Sequence, residues 1–158
     1  MVLAPQPDAV LLIRRAEREG DPWSGHMAFP GGRHSPVDRD LLATAIRETA
    51  EEVGLRLDER QLLGVLDDVA PRSPGRGPLV VRPFLFALDH RPELRLNHEV
   101  ALALWAPIDE LRAERTYRPA TFHHRGAPRV YPAYHLADHV VWGMTERILT
   151  PLLNDLSS

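Results

Sequence analysis

One stretch restricts this chain more than any other: residues 29–55, FPGGRHSPVDRDLLATAIRETAEEVGL. At about 100° per residue, Arg47, Glu48, Glu51 and Glu52 fall within an arc of roughly 140°, while Leu42, Ala45, Ile46, Thr49 and Val53 gather on the opposite side. The pattern predicts an amphipathic helix with an acidic, solvent-facing surface. Asp38 or Asp40 is its candidate N-cap, and Gly54 is placed to end it in the left-handed conformation. The carboxylates then crowd the C-terminal turns, where the helix already carries partial negative charge and favours cations. Glu48 reaches Glu51 at i+3 and Glu52 at i+4, so three carboxylates can converge on a hard divalent cation, and Arg47 can brace Glu51 from one turn away. Just upstream, Pro30-Gly31-Gly32 forms a turn whose glycines allow a phosphate group close to the backbone.

Composition narrows what such a helix can serve. A length of 158 residues with 44% hydrophobic content suits one domain over residues 1–158. A net charge of −3, with both signs interspersed, gives no footprint for nucleic acid or an anionic membrane. All 19 basic residues are Arg, which excludes a Schiff-base lysine and a lysine phosphate clamp. The chain has no Cys, hence no disulfide framework, thiol nucleophile or thiolate zinc site. No signal-like start and no 18-residue apolar run is visible, so the expected location is cytoplasmic.

In chain order, residues 1–7 read as a lead-in, and strands are expected over 8–16, 26–29, 62–69, 79–88 and 97–108, with a short helix beginning at Asp109. A hairpin is expected from 117–124 and 129–136. A C-terminal helix over 137–149 follows, with Val140, Val141, Met144 and Ile148 facing the core and Pro151 ending or kinking it. Arg72 and Arg76, in the Pro/Gly/Arg loop 70–78, are candidates for holding substrate phosphates, as are Arg15 and Arg18 after the first strand. Of the eight His, only His26 and His34 flank the presumed site.

The order of parts resembles the Nudix box, G-x5-E-x7-R-E-U-x-E-E-x-G-U with U apolar, carried here by Gly32, Arg47, Glu48, Glu51, Glu52, Gly54 and Leu55. Asp38 stands where the box has its first Glu, eight residues instead of seven separate it from Arg47, and Thr49 takes the first apolar place. The resemblance implies an α/β fold, an α/β/α sandwich around a mixed β-sheet. It also implies hydrolysis of the diphosphate linkage in a nucleoside diphosphate derivative, with Mg²⁺ or Mn²⁺ as cofactor. On that basis Glu48, Glu51, Glu52 and Gly32 form the metal set, Arg47 orients it, Glu52 or Glu99 is the candidate general base, and Gly31 and Gly32 approach the substrate.

Upstream, Leu11, Leu12, Arg15, Ala16, Gly25 and Phe29 to Gly32 match the coenzyme A diphosphatase branch, as does VVWGMTERIL at 140–149. Ile13 replaces a Thr, Gly20 stands at the expected internal Arg, and one extra residue precedes Gly25. Arg18 is the candidate substitute for that Arg. Coenzyme A, cleaved to 4′-phosphopantetheine and 3′,5′-ADP, is the substrate this branch implies. Nucleotide sugars, dinucleoside polyphosphates and (deoxy)nucleoside triphosphates stay open, as does a non-catalytic nucleotide-binding module. The expected partner is thus a small molecule, with a homodimer as the candidate assembly.

Overall fold

The computed structural model describes residues 1–21, 23–71, 79–124 and 127–156. Its elements run β1 (Val2–Ala4), β2 (Ala9–Arg15), β3 (Met27–Ala28), α1 (Leu41–Val53), β4 (Leu62–Val65), β5 (Phe84–Ala87), β6 (Val100–Pro107), α2 (Ile108–Arg112), β7 (Ala120–His124), β8 (Ala127–Tyr131), β9 (Ala133–Leu136), β10 (His139–Trp142) and α3 (Gly143–Asp155).

β2 organises the molecule because its run AVLLI is apolar on both sides. Alternation along a strand sends Val10 and Leu12 to one face of the sheet and Leu11 and Ile13 to the other. Val10 and Leu12 join a core with Leu111, Val141, Ile148 and Leu149, which belong to α2, β10 and α3. Leu11 and Ile13 join a second core with Val53, Phe84 and Phe86, against which Leu42, Ala45 and Ile46 of α1 pack. The sheet is therefore covered on both faces, as the α/β/α expectation required. It is mixed: β2 pairs antiparallel with β6 along its length and with β1 and β3 on its other edge, and β1 runs parallel to β5. Among the described residues, no helix is long and apolar enough to cross a membrane.

Several boundaries differ from the sequence expectation. The lead-in contains β1, whose Val2 pairs with Phe86 and is fully buried. The strand expected over 62–69 stops at Val65, and the one over 79–88 shortens to Phe84–Ala87; the two pair antiparallel, and beyond them the Leu66 N–H donates to the Pro83 carbonyl and a bridge joins Val69 to Val81. The hairpin forms between β7 and β8, with Ala120 opposite Tyr131, but Pro132 separates it from β9. Residues expected in the last helix instead turn at Ala137 (φ 47°) into β10, so Val141 is a strand residue in the core. α3 begins only at Gly143 and runs through Pro151 to Asp155, because buried Leu149, Leu152 and Leu153 hold that turn against the sheet.

Candidate active site

α1 takes its ends from local chemistry. Asp40, not Asp38, is the N-cap, its side chain accepting from the Ala43 N–H at 2.8 Å. Gly54, at φ 71°, closes the other end by donating to the Ala50 carbonyl. The loop before β6 completes that end: the Arg95 and Asn97 N–H groups donate to the carbonyls of Val53 and Glu52 at 2.8 and 3.0 Å. The negative end of the helix is thus answered in part by backbone donors. The same loop delivers Glu99.

Asp38 has a different task. Arg47 forms a two-bond fork with it, Nε to Oδ1 at 2.8 Å and Nη2 to Oδ2 at 2.9 Å. The Ser35 N–H and the Thr44 hydroxyl also donate to Asp38 Oδ2. These contacts, Arg47 first, hold the Asp38 carboxyl well below its ordinary range. The shorter acid and the extra upstream residue therefore still deliver a carboxylate to Arg47. Through Nη1 the same guanidinium donates to Glu48 at 2.9 Å and Glu51 at 3.2 Å, so it ties three carboxylates together.

The acidic face is not uniformly solvated. Glu51 is more than half exposed and turned to Arg47, whereas Glu52 is only 3% exposed. The helical wheel orders directions around α1 but does not say what covers them; here the Gly31 N–H donates to Glu52 Oε2 at 2.9 Å. Burial pushes the Glu52 carboxyl up to about 7; the Gly31 N–H and Arg15 oppose the rise, while Glu48 and Glu99 add to it. Gly32 lies against Glu48: a Cβ there would meet its carboxyl carbon at 2.3 Å.

Glu48, Glu52, Glu99, Gly31, Gly32 and Arg15 all line one cleft of ≈ 730 Å³. Arg15 donates to Asp21 at 3.0 Å, and its buried Nε has no hydrogen-bond partner among the described residues. Arg18 pairs with Glu99 at 3.0 Å instead of facing the cleft as a free cation. Arg72 and Arg76 lie outside the described residues. His34 lines the cleft and shares a hydrogen bond with Thr44. His26 packs on Trp142 with ring centroids 5.0 Å apart, and burial lowers its pKa. Trp23, one of the loop positions the sequence offered for reading the substrate, is on the cleft wall; sequence reasoning missed Arg33 there, and Met144 and Ile148, which α3 brings to it. Arg33 was signalled by its place directly after the glycine pair; the α3 residues had no local signal.

Among the described residues, no three Asp, Glu or His side chains are close enough together to hold an ion as they stand. The donor set nonetheless fits a hard divalent cation. Glu48 and Glu52 line one cleft, Glu52 is buried with no ion pair among the described residues, and the side-chain-free Gly32 leaves the space that Glu48 occupies. Glu51 joins such a set only by leaving Arg47.

A family model described as "NUDIX domain" matches residues 1–128. The uncharacterized protein C14C4.10c of Schizosaccharomyces pombe is 42% identical over 131 residues, 79% of this chain but 40% of that protein, so the chain spans well under half its length. An uncharacterized Nudix hydrolase, NudL, of Photorhabdus laumondii subsp. laumondii is 32% identical over 148 residues, 93% of this chain and 77% of that protein. Among solved structures, a MutT/nudix family protein from Enterococcus faecalis superposes with a TM-score of 0.68 at 20% identity, covering 99% of this chain and 59% of the other. The box that Asp38 and Arg47 hold in place is thus matched by a family model over most of the chain and by Nudix-named relatives, and the chain belongs to the Nudix hydrolase family.

Proposed function

We propose that this chain is a divalent-metal-dependent pyrophosphohydrolase of nucleoside diphosphate derivatives, with coenzyme A as its substrate. The observation that carries the reading is the buried Glu52 carboxylate, set beside Glu48 and Glu99 in a cleft and held by the Gly31 N–H. Glu48 and Glu52 are the primary holders of the cation, with Glu51 and the Gly32 backbone completing its surroundings. A bound Mg²⁺ or Mn²⁺ neutralises phosphate charge and makes water a better nucleophile. Arg47 orients Glu48 and Glu51 and is itself fixed by Asp38. Glu99 takes the proton of the attacking water, with Arg18 keeping its carboxylate in place. The water oxygen bonds to one phosphorus, and the bridging oxygen leaves with the bonding electrons on the other phosphate.

The coenzyme A assignment is supported by the part of the upstream match that lines the cleft, Arg15 and Phe29 to Gly32, while Leu11 and Leu12 of the same match are core residues. The test is a panel of diphosphate compounds with Mg²⁺ or Mn²⁺, read by product mass. Coenzyme A should give 4′-phosphopantetheine and 3′,5′-ADP. Glu52→Gln should lower turnover by more than roughly 100-fold, beyond the 10–100-fold typical of partners outside the first metal shell. Turnover of ADP-ribose without coenzyme A cleavage would discard the substrate. Absence of all turnover, with nucleotide binding intact, would replace the hydrolase by a binding module.

A further inference from the structure

Among the described residues, Arg15, Arg33 and Arg82 line the cleft and Arg18 stands beside it, and all but Arg33 hold carboxylates outside the Glu48–Glu51 cluster that Arg47 braces. Arg15 donates to Asp21 at 3.0 Å, Arg18 to Glu99 at 3.0 Å, and Arg82 forks onto Asp68 with two bonds of 2.8 Å. Arg33 is the fourth. Its guanidinium has no hydrogen bond or ion pair among the described residues, yet it lines the cleft. Its backbone is not loose, since its carbonyl accepts from Arg47 Nη2 at 3.4 Å. The residue therefore combines a tethered main chain with an uncommitted fork of donors.

Its place in the chain decides which anion it can reach. Arg33 follows Gly32, the two α-carbons being about 3.8 Å apart, and Gly32 rests on the Glu48 carboxylate. A planar guanidinium matches two phosphate oxygens at once. To take a phosphate, Arg15, Arg18 or Arg82 must first give up or share a carboxylate, whereas Arg33 holds none among the described residues. We propose that Arg33 clamps non-bridging oxygens of the substrate's diphosphate, and not a distant phosphomonoester. The assignment rests on the hydrolase reading for its substrate and on the geometry of residues 31–33 for its position. It also removes Arg18 as the leading phosphate contact, because that side chain is engaged with Glu99.

Arg33→Ala and Arg33→Lys decide it. Losing charge-assisted contacts of this kind lowers catalytic efficiency about ten- to a hundred-fold. The loss in Arg33→Ala should be the same factor on coenzyme A and dephospho-coenzyme A, with Arg33→Lys recovering part of it and the melting temperature unchanged. Calorimetric titration with methylenediphosphonate and Mg²⁺, which needs no hydrolysis, should show weaker binding by a comparable factor. If the wild-type protein turns over no diphosphate, the hydrolase reading fails while this titration still decides the role of Arg33. Unchanged diphosphonate binding in Arg33→Ala, no diphosphonate binding by the wild-type protein, or a loss confined to coenzyme A would each overturn the proposal.

Discussion

Helices α1 and α3 are both 13 residues long, yet they are secured in opposite ways. α1 is fixed at its ends, by the Asp40 side chain and by Gly54, and one of its faces is left to carry charge. α3 has no side-chain cap at Trp142 and holds Pro151 within it. Its fixings lie along its length: the Thr145 hydroxyl donates to the Met27 carbonyl, Glu146 accepts from the Tyr117 and Thr150 hydroxyls, and three leucines are buried. A helix that presents side chains to a ligand keeps less of its surface for packing, so its caps matter more. A helix packed this deeply tolerates a proline that costs about 3 kcal/mol in an exposed helix interior.

The contrast breaks most visibly in α3. Leu149 is fully buried, so Leu149→Ala should cost about 2–5 kcal/mol in urea unfolding. A cost below about 1 kcal/mol would mean that packing does not hold this helix. Next in size is the cap of α1: Asp40→Ala should cost about 0.5–2 kcal/mol by the same measurement. Equal losses in the two variants would erase the distinction between the helices.

The smallest effect is a pH dependence beside α3. Burial first, and Glu146 second, push the Tyr117 phenol up to about 12 from 10.0. The folded protein therefore holds this proton more tightly than the unfolded chain, so the contribution is complete below pH 10 and declines as pH rises toward 12. Tyr134, which shares a hydrogen bond with Thr150, is shifted upward by burial as well. Chemical unfolding at pH 9 and pH 11 should show the decline, and Tyr117→Phe should remove part of it while leaving the portion due to Tyr134.

The same contrast explains how far the sequence could be read. The C-terminal end of α1 was legible because Gly54 acts on its own neighbours. The N-terminal end was legible only as Asp38 or Asp40, since the contact of Asp38 with Arg47 had to be seen to leave the cap to Asp40. The apolar run of β2 was legible because burial on both faces needs no alternation. β1 was not, since three residues carry no periodicity and one of its two partners, β5, lies some 80 residues away. β10 was not, because VVW suits a strand or a helix, and β9 decides between them. At the site, the carboxylate spacing identified Glu48, Glu51 and Glu52, but the burial of Glu52 depends on a loop 21 residues away. The extra residue in the box could be counted but not interpreted until Asp38 was seen on Arg47.

The glycine pair ahead of α1 has a consequence for which changes the chain can survive. Gly31 has open space around it but sits at φ 153°, where a side chain strains the backbone. Gly32 has no such torsion, yet any β-carbon there runs into the Glu48 carboxylate, a flexible tip that can swing aside. A substitution at 31 is thus felt as lost folded protein, and one at 32 as a displaced carboxylate in protein that still folds. Yield of folded protein reads the backbone strain at the first glycine and turnover reads the displaced carboxylate at the second, so the two identical neighbours are told apart by different measurements.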